Sequence, residues 1–318
     1  MLGMAALAVA AFVQPSTAQT YPDRPVRIVV PFPAGGSNDV LARILAQSLS
    51  EDLGQQFIVE NRAGAGGNTG AESVARASAD GYTLLLTAPG PLAINPALYG
   101  KLPFDPEKDF APIALVASVP IVLMVHPGVA ANNVKELIAL AKKEPGKINY
   151  ASSGVGSTNH LAGELLKSMA HIDIVHVPYR GAAPAMNDLL GGHVPMMFDN
   201  MPAALPQVKA GTVRALAVAG AKRAASLPDV PTVAESGLPG FDAEAWFGLV
   251  APSQTPAPVL TRLTAAVEKA LKNPALVAHY RELGAEPGAL SGAKFGVMLK
   301  IETKKWTEVI QSSGAKAN

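Results

Sequence analysis

One stretch constrains this chain more than any other: Val26 to Leu53, VRIVVPFPAGGSNDVLARILAQSLSEDL. It opens with a continuous apolar run, Val26 to Val30, of the length and β-branched content of a buried parallel strand. The glycine-bearing corner Pro31-Phe32-Pro33-Ala34-Gly35-Gly36 follows. Ser37 or Asn38 is then expected to cap a helix whose apolar positions Val40, Leu41, Ile44, Leu45, Leu49 and Leu53 recur at helical spacing. A strand that runs through such a corner into a helix start presents free backbone N–H groups and the positive end of the macrodipole, which suits an anion. The corner holds no Lys or Arg. A carboxylate or a water-coordinated anion therefore fits it better than a triphosphate.

The same logic returns in the second half. Ile148 to Ala151 reads as a short strand, Ser152-Ser153-Gly154-Val155-Gly156-Ser157-Thr158-Asn159 as a small-residue corner, and His160 to about Met169 as a helix. Two such corners in two halves of one chain suggest two similar lobes facing one another. Around them, strand-like runs alternate with helix-like ones, which argues for an α/β architecture with mostly parallel sheets. Asn133-Val134-Lys135-Glu136 has the spacing of a capping box with Asn as the cap, and Thr255-Pro256 places Pro at the first position of a later helix.

The chain has 318 residues and a formal net charge of +1, enough for two domains and no reason to invoke nucleic acid. It contains no cysteine, which excludes disulfides, thiolate metal sites and Cys nucleophiles together. Residues 1–18 read as a secretory signal peptide, with an apolar run from Met4 to Val13 and small residues in Ser16-Thr17-Ala18. The segment ahead of that run lacks Lys and Arg, and the run is too short to span a bilayer. A mature N-terminus near Gln19 and a periplasmic location are expected.

Several motifs invite chemistry. Gly64-Ala65-Gly66-Gly67-Asn68-Thr69-Gly70 follows a strand and precedes a helix, but its spacing is GxGxxxG and the next strand ends without an acidic residue for a ribose. A turn that lets backbone approach a cleft is the better reading. His160 and Glu164 share a helix face, yet no second His and no Cys lies near enough to complete a metal site. Ser37, Ser152, Ser153 and Ser157 sit where helix caps belong, and no GxSxG elbow exists. Arg180, in Pro178-Tyr179-Arg180-Gly181, is either a counter-ion for a carboxylate or a surface cation. Asp199-Asn200, at a strand end, either accepts from a ligand hydroxyl or ammonium or starts the next turn.

Taken together, YPDRPVRIVVPFPAGGSNDVLAR, VENRAGAGGNTGAE, DGYTLLL, INYASSGVGSTNHLAGELLK, HVPYRGAAPAMNDLLGG and WFGLVAP resemble the Bug-type substrate-binding proteins of tripartite tricarboxylate transporters over essentially the whole mature chain. The resemblance implies a periplasmic binding protein fold (type II-like): two doubly wound lobes joined by two crossover strands, with the ligand between them. With the crossings placed at Ile121 to Val125 and Trp246 to Val250, lobe 1 is residues 20–124 plus 247–318 and lobe 2 is residues 125–246. The resemblance further implies that Phe32, Ala34, Gly35 and Asp39 hold a ligand carboxylate from one side. Ser152, Ser153, Ser157 and His160 do so from the other, and Ala88, Pro89, Tyr179, Arg180 and Asp199 are second-rank candidates.

The expected function is that of a non-enzymatic receptor, without cofactor or metal, that binds a small organic carboxylate and delivers it to membrane permease subunits. The ligand is a di- or tricarboxylate, an acidic amino acid or an aromatic acid, and a monomer is expected. Alternatives are a ligand sensor for a signalling partner and an acyl hydrolase using Ser157 and His160.

Overall fold

The computed structural model describes residues 21–317; the expected signal peptide, residues 1–18, lies outside the described residues. In chain order the elements are β1 (Val26–Val30), α1 (Ser37–Leu53), β2 (Phe57–Asn61), α2 (Asn68–Ala75), β3 (Thr83–Thr87), and a π-helical turn, Gly90–Ile94, that runs into α3 (Asn95–Tyr99). Next come β4 (Phe110–Val119), β5 (Ile121–Val125), α4 (Val134–Lys143), β6 (Ile148–Ser152), α5 (Thr158–Ala170), β7 (Ile174–Pro178), α6 (Ala182–Leu190), β8 (Met196–Asn200), α7 (Met201–Lys209) and β9 (Arg214–Val218). The chain closes with β10 (Ala245–Pro252), α8 (Ala257–Ala270), α9 (Pro274–Glu282), β11 (Glu286–Pro287) and α10 (Gly292–Ser313).

Among the described residues the strands form two sheets, ordered β11-β4-β10-β3-β1-β2 and β7-β6-β8-β5-β9. The molecule is thus an α/β protein of two lobes. Its sheets are mixed, which corrects the expectation of mostly parallel ones. Parallel pairing holds for β1 with β2 and β3, and for β6 with β7 and β8. β10 runs antiparallel to β3 and β4, β11 to β4, and β5 to β8 and β9. A parallel neighbour needs a crossover connection. β5 and β10 instead enter their sheets from segments that pass between the lobes, so nothing forces them parallel.

The two stretches expected to cross between lobes do not do so. Ile121–Val125 pairs along its length with β8 and β9, and β10 pairs with β3 and β4. Both are central strands buried on both faces, and such a run carries no mark of which sheet it joins. The chain leaves the first sheet at Val119 and enters the second at Ile121, so we place one crossing at Pro120. We place the return between Ala219 and Glu244. There, Ala219 N donates to Ile121 O (2.8 Å) and Ala243 N to Ala219 O (2.8 Å).

Sequence-level caps are realised unevenly. Asn133 Oδ1 accepts from Glu136 N (2.9 Å), which starts α4 as expected. α1 is different: its N-cap is Gly36, in extended backbone and with no side-chain cap, and Ser37 and Asn38 lie inside the first turn. Pro256 stands at the N-cap of α8, one residue before the first helical position. The first lobe is closed by α10, whose Phe295 and Trp306 are fully buried. Full burial of such a side chain stabilises by roughly 1.5–3 kcal/mol. The indole N–H groups of Trp246 and Trp306 both donate to Glu302 Oε2, at 2.8 and 3.0 Å.

Candidate functional site

Each of the four helices α1, α5, α6 and α7 begins directly after a strand of its lobe, and their starts surround one cavity of about 50 Å³. Its wall includes Phe32, Ala34, Gly36, Ser37 and Asn38 from the corner after β1, and Ala88 and Gly90 after β3. The other lobe contributes Ser153, Ser157, Thr158 and Asn159 after β6, Gly181 to Pro184 after β7, and Asp199 and Asn200 at the end of β8. By this measure one water needs roughly 10–15 Å³, so the space suits a few water-sized groups, the scale of a short-chain acid. A wider groove of about 600 Å³ adjoins it, sharing Phe32, Pro33, Ser153, Ser157 and Gly181.

Two features define the chemistry of the wall. The described residues that line it include no Lys and no Arg. Five of its side-chain atoms are buried without a hydrogen-bond partner: Ser37 Oγ, Asn38 Nδ2, Thr158 Oγ1, Asp199 Oδ2 and Asn200 Oδ1. A buried polar atom left unpaired costs roughly 1–3 kcal/mol, so their gathering on one cavity makes it the candidate site for a polar guest. Four helix N-termini add partial positive charge and unpaired N–H groups, which favours an anion.

The corners themselves are braced from behind. Gly35 has φ +81°, a backbone region that favours glycine, and its N–H donates to Asp39 Oδ2 at 2.9 Å. Asp39 also accepts from Arg43 Nε (3.1 Å) and from Asn61 Nδ2 (3.0 Å), and Arg43 lies 2.8 Å from its other oxygen. Burial pushes the Asp39 carboxyl upward, but the Arg43, Gly35 and Asn61 contacts outweigh it and hold the group below the usual carboxylate range. In the second lobe, Ser157 caps α5 by accepting from His160 N (3.2 Å) and donates to Gly154 O (2.7 Å). Ser152 Oγ takes Gly154 N (3.1 Å) and lies 2.7 Å from His176 Nε2. His176 stacks on His160 with ring centres 4.0 Å apart, and burial depresses both imidazoles, to about 3 and about 4 respectively.

Of the residues singled out from sequence, Phe32, Ala34, Ala88, Ser153, Ser157 and Asp199 stand on the cavity wall. Gly35, Asp39, Pro89, Ser152 and His160 do not. For Gly35, Asp39, Ser152 and His160 the reason is visible: their polar groups serve the bracing just described. Tyr179 and exposed Arg180 line the outer groove, where Tyr179 Oη donates to Asp188 Oδ2 at 2.5 Å. Ser157, expected as a ligand donor, has its proton on Gly154 O. With His160 Nδ1 accepting from Gly156 N at 3.4 Å, the pair shows no hydrolase geometry. Asn200, read from sequence with Asp199 as a ligand acceptor or a turn start, also stands on the wall, and the residues that sequence reasoning missed as wall groups are Ser37, Asn38, Thr158 and Asn159. Their signal was available: each lies at, or within two residues after, the N-cap of a helix that follows a strand.

The glycine-rich stretch after β2 borders the outer groove, in keeping with a close backbone approach. Gly66, at φ +64°, faces the other lobe so closely that a Cβ there would lie 2.7 Å from Val155 O. Among the described residues no cluster of His, Asp and Glu could hold a metal ion, and no helix is long and apolar enough to cross a membrane.

This arrangement has close counterparts among known proteins. The profile of the tripartite tricarboxylate transporter family receptor matches residues 41–315. The protein BugT of Bordetella pertussis is 39% identical over 311 residues, covering 98% of this chain and 95% of BugT. The solved structure of Rhodopseudomonas palustris Rpa4515 with adipate superposes with a TM-score of 0.90 at 40% identity, covering 93% of this chain and 99% of that one. MatC from the same organism, with bound malate, gives a TM-score of 0.87 at 34% identity, covering 91% and 100%. The periplasmic binding protein BugD gives 0.88 at 39% identity, covering 94% and 100%. The chain belongs to the family of tripartite tricarboxylate transporter receptors.

Proposed function

We propose that this protein is an exported, periplasmic solute receptor that captures a small organic carboxylate between its lobes and hands it, unchanged, to the membrane permease of a tripartite tricarboxylate transporter. One observation carries the reading: buried, unpartnered polar atoms from both lobes face a single cavity that is ringed by helix N-termini and lined by no cation. In such a site the negative charge is held by backbone N–H groups, by Ser37, Asn38 and Thr158, and by bridging water. Because each lobe supplies only part of the set, the ligand ties the lobes together. The relatives bound to adipate and malate support a dicarboxylate as the guest.

The test is a thermal-shift screen of the mature protein against mono-, di- and tricarboxylates and acidic amino acids, followed by calorimetry on the hits. A ligand that binds only the folded state raises the melting temperature by mass action. Recovery of the ligand unchanged after incubation separates a receptor from an enzyme. A screen in which no carboxylate shifts the transition would refute the proposal.

A further inference from the structure

Asp199 is an awkward residue for a site that receives an anion. It is fully buried at the end of β8 and lines the cavity. Its Oδ1 accepts from Asn159 Nδ2 (3.0 Å) and from Asn200 N (2.8 Å), so that oxygen is fixed. Its Oδ2 is buried and has no partner. A ligand carboxylate drawn in by the helix starts therefore meets a second carboxyl group in a space of about 50 Å³. Two carboxylates cannot both stay ionised at such range in a buried site.

Two chemistries would relieve the conflict: a cationic group on the ligand, or a proton on Asp199. The surroundings favour the proton. Asp199 immediately precedes Asn200, the N-cap of α7, and is bonded by Asn159 from the first turn of α5. Both helices direct their positive ends to this place, which disfavours an ammonium and favours a second negative or neutral group. We propose that a carboxylate ligand enters the cavity together with one proton from solvent, which comes to rest on Asp199 Oδ2 and is donated in a hydrogen bond to a ligand carboxylate oxygen. This rests on the receptor reading above and adds a proton linkage to it.

Other ionisable groups leave the assignment to Asp199. The titratable and charged residues on elements packed around it are Asp39, Arg43, Glu51 and Asp52 on α1, Tyr150 on β6, His160, Glu164 and Lys167 on α5, His176 on β7, Asp188 on α6 and Lys209 on α7, and none of them lines the cavity. Asp39 is bonded to Arg43, Glu164 takes the Tyr150 hydroxyl at 2.6 Å, and Asp188 takes that of Tyr179. Burial pushes the Asp199 carboxyl up to about 7 even without a ligand, against the lowering effect of Asn200 N and Asn159. Proton uptake is therefore within reach near neutral pH.

The experiment is calorimetry of the mature wild-type protein against a carboxylate panel that includes malate and adipate. It runs from about pH 6 to about pH 9, in two buffers of different protonation enthalpy. The expected result above about pH 7 is uptake approaching one proton per ligand, with affinity falling about tenfold per pH unit. Asp199→Asn, which supplies a neutral donor in the same place, should bind with little pH dependence and no proton uptake. Binding by wild type without proton uptake across this range would overturn the proposal and leave the receptor reading standing. Selective binding of amino acids that Asp199→Asn abolishes would also overturn it, in favour of an ammonium partner. No binding by any member of the panel at any pH would instead remove the receptor reading itself. If Asp199→Asn fails to fold, the proton count on wild type decides alone.

Discussion

Thr158→Val separates ligand recognition from folding at a single atom. Thr158 Oγ1 is buried on the cavity wall, has no partner, and lies in the first turn of α5. Valine keeps the shape and removes only the hydroxyl. Because the hydroxyl supports no hydrogen bond within the protein, ligand-free stability should hold or rise, by at most about 1–3 kcal/mol. When a carboxylate binds, the variant leaves one ligand oxygen short of a donor, which costs roughly 1–3 kcal/mol, or about fivefold to a hundredfold in Kd. Ser157→Ala, one residue earlier, should behave in the opposite way. It removes a cap that bonds His160 N and Gly154 O, so stability should drop by about 0.5–2 kcal/mol. Urea unfolding without ligand and calorimetry with the best carboxylate measure both quantities on both variants. If Thr158→Val binds as tightly as wild type, the unpartnered atoms do not mark the ligand site.

Three further outcomes follow from the geometry. Gly66→Ala should weaken binding by at least tenfold, because a Cβ 2.7 Å from Val155 O props the lobes apart; small-angle scattering at saturating ligand should show a larger radius than wild type. Arg180→Gln should change Kd by less than about fivefold and act mainly on association rate and its salt dependence, since this exposed side chain lines the outer groove and not the cavity; stopped-flow mixing checks it. Stability should fall as pH drops below about 6.5, because the unfolded chain protonates imidazoles that the folded chain keeps neutral down to about 4 at His160 and about 3 at His176; the slope is up to about 1.4 kcal/mol per pH unit for each, offset in part by the proton that folded Asp199 takes up from about pH 7 downward, and His176→Gln should flatten it in urea melts between pH 6.5 and pH 4.5.

Local signals carried the fold far. The apolar run at Val26, the corner at Gly35 and the helical spacing from Val40 to Leu53 each correspond to an element, and the corner before α5 repeats the pattern. Sheet membership was less legible. β5 and β10 are apolar throughout and buried on both faces, so the same residues serve a crossing strand or a central one equally well. For the site, the sequence located the corners but shifted the chemistry by a residue. Ser157 looks like a ligand donor, yet its hydroxyl caps the helix and leaves the next residue, Thr158, facing the cavity. Asp39 looks like a wall group until Asn61, far along the chain, and Arg43 are seen to hold it. His176 braces Ser152 from a different strand. Such long-range partners leave no trace in local spacing.

Pro120 joins the sheets as a single residue between two strands, and its ring removes one of the two torsions about which the chain could turn there. Its carbonyl accepts from Met201 N at 2.8 Å, at the very start of α7 and two residues from Asp199. The bridge between the lobes is therefore fastened to the wall of the cavity it spans. That bond extends the β5–β8 ladder, in which Ile121 pairs with Asn200, so the crossing residue and the start of α7 are held as one piece of the second lobe. For a receptor that binds only when closed, the apparent affinity would be the intrinsic one reduced by the closed fraction. A change at Pro120 would then act on that closed fraction without touching any wall group of the cavity.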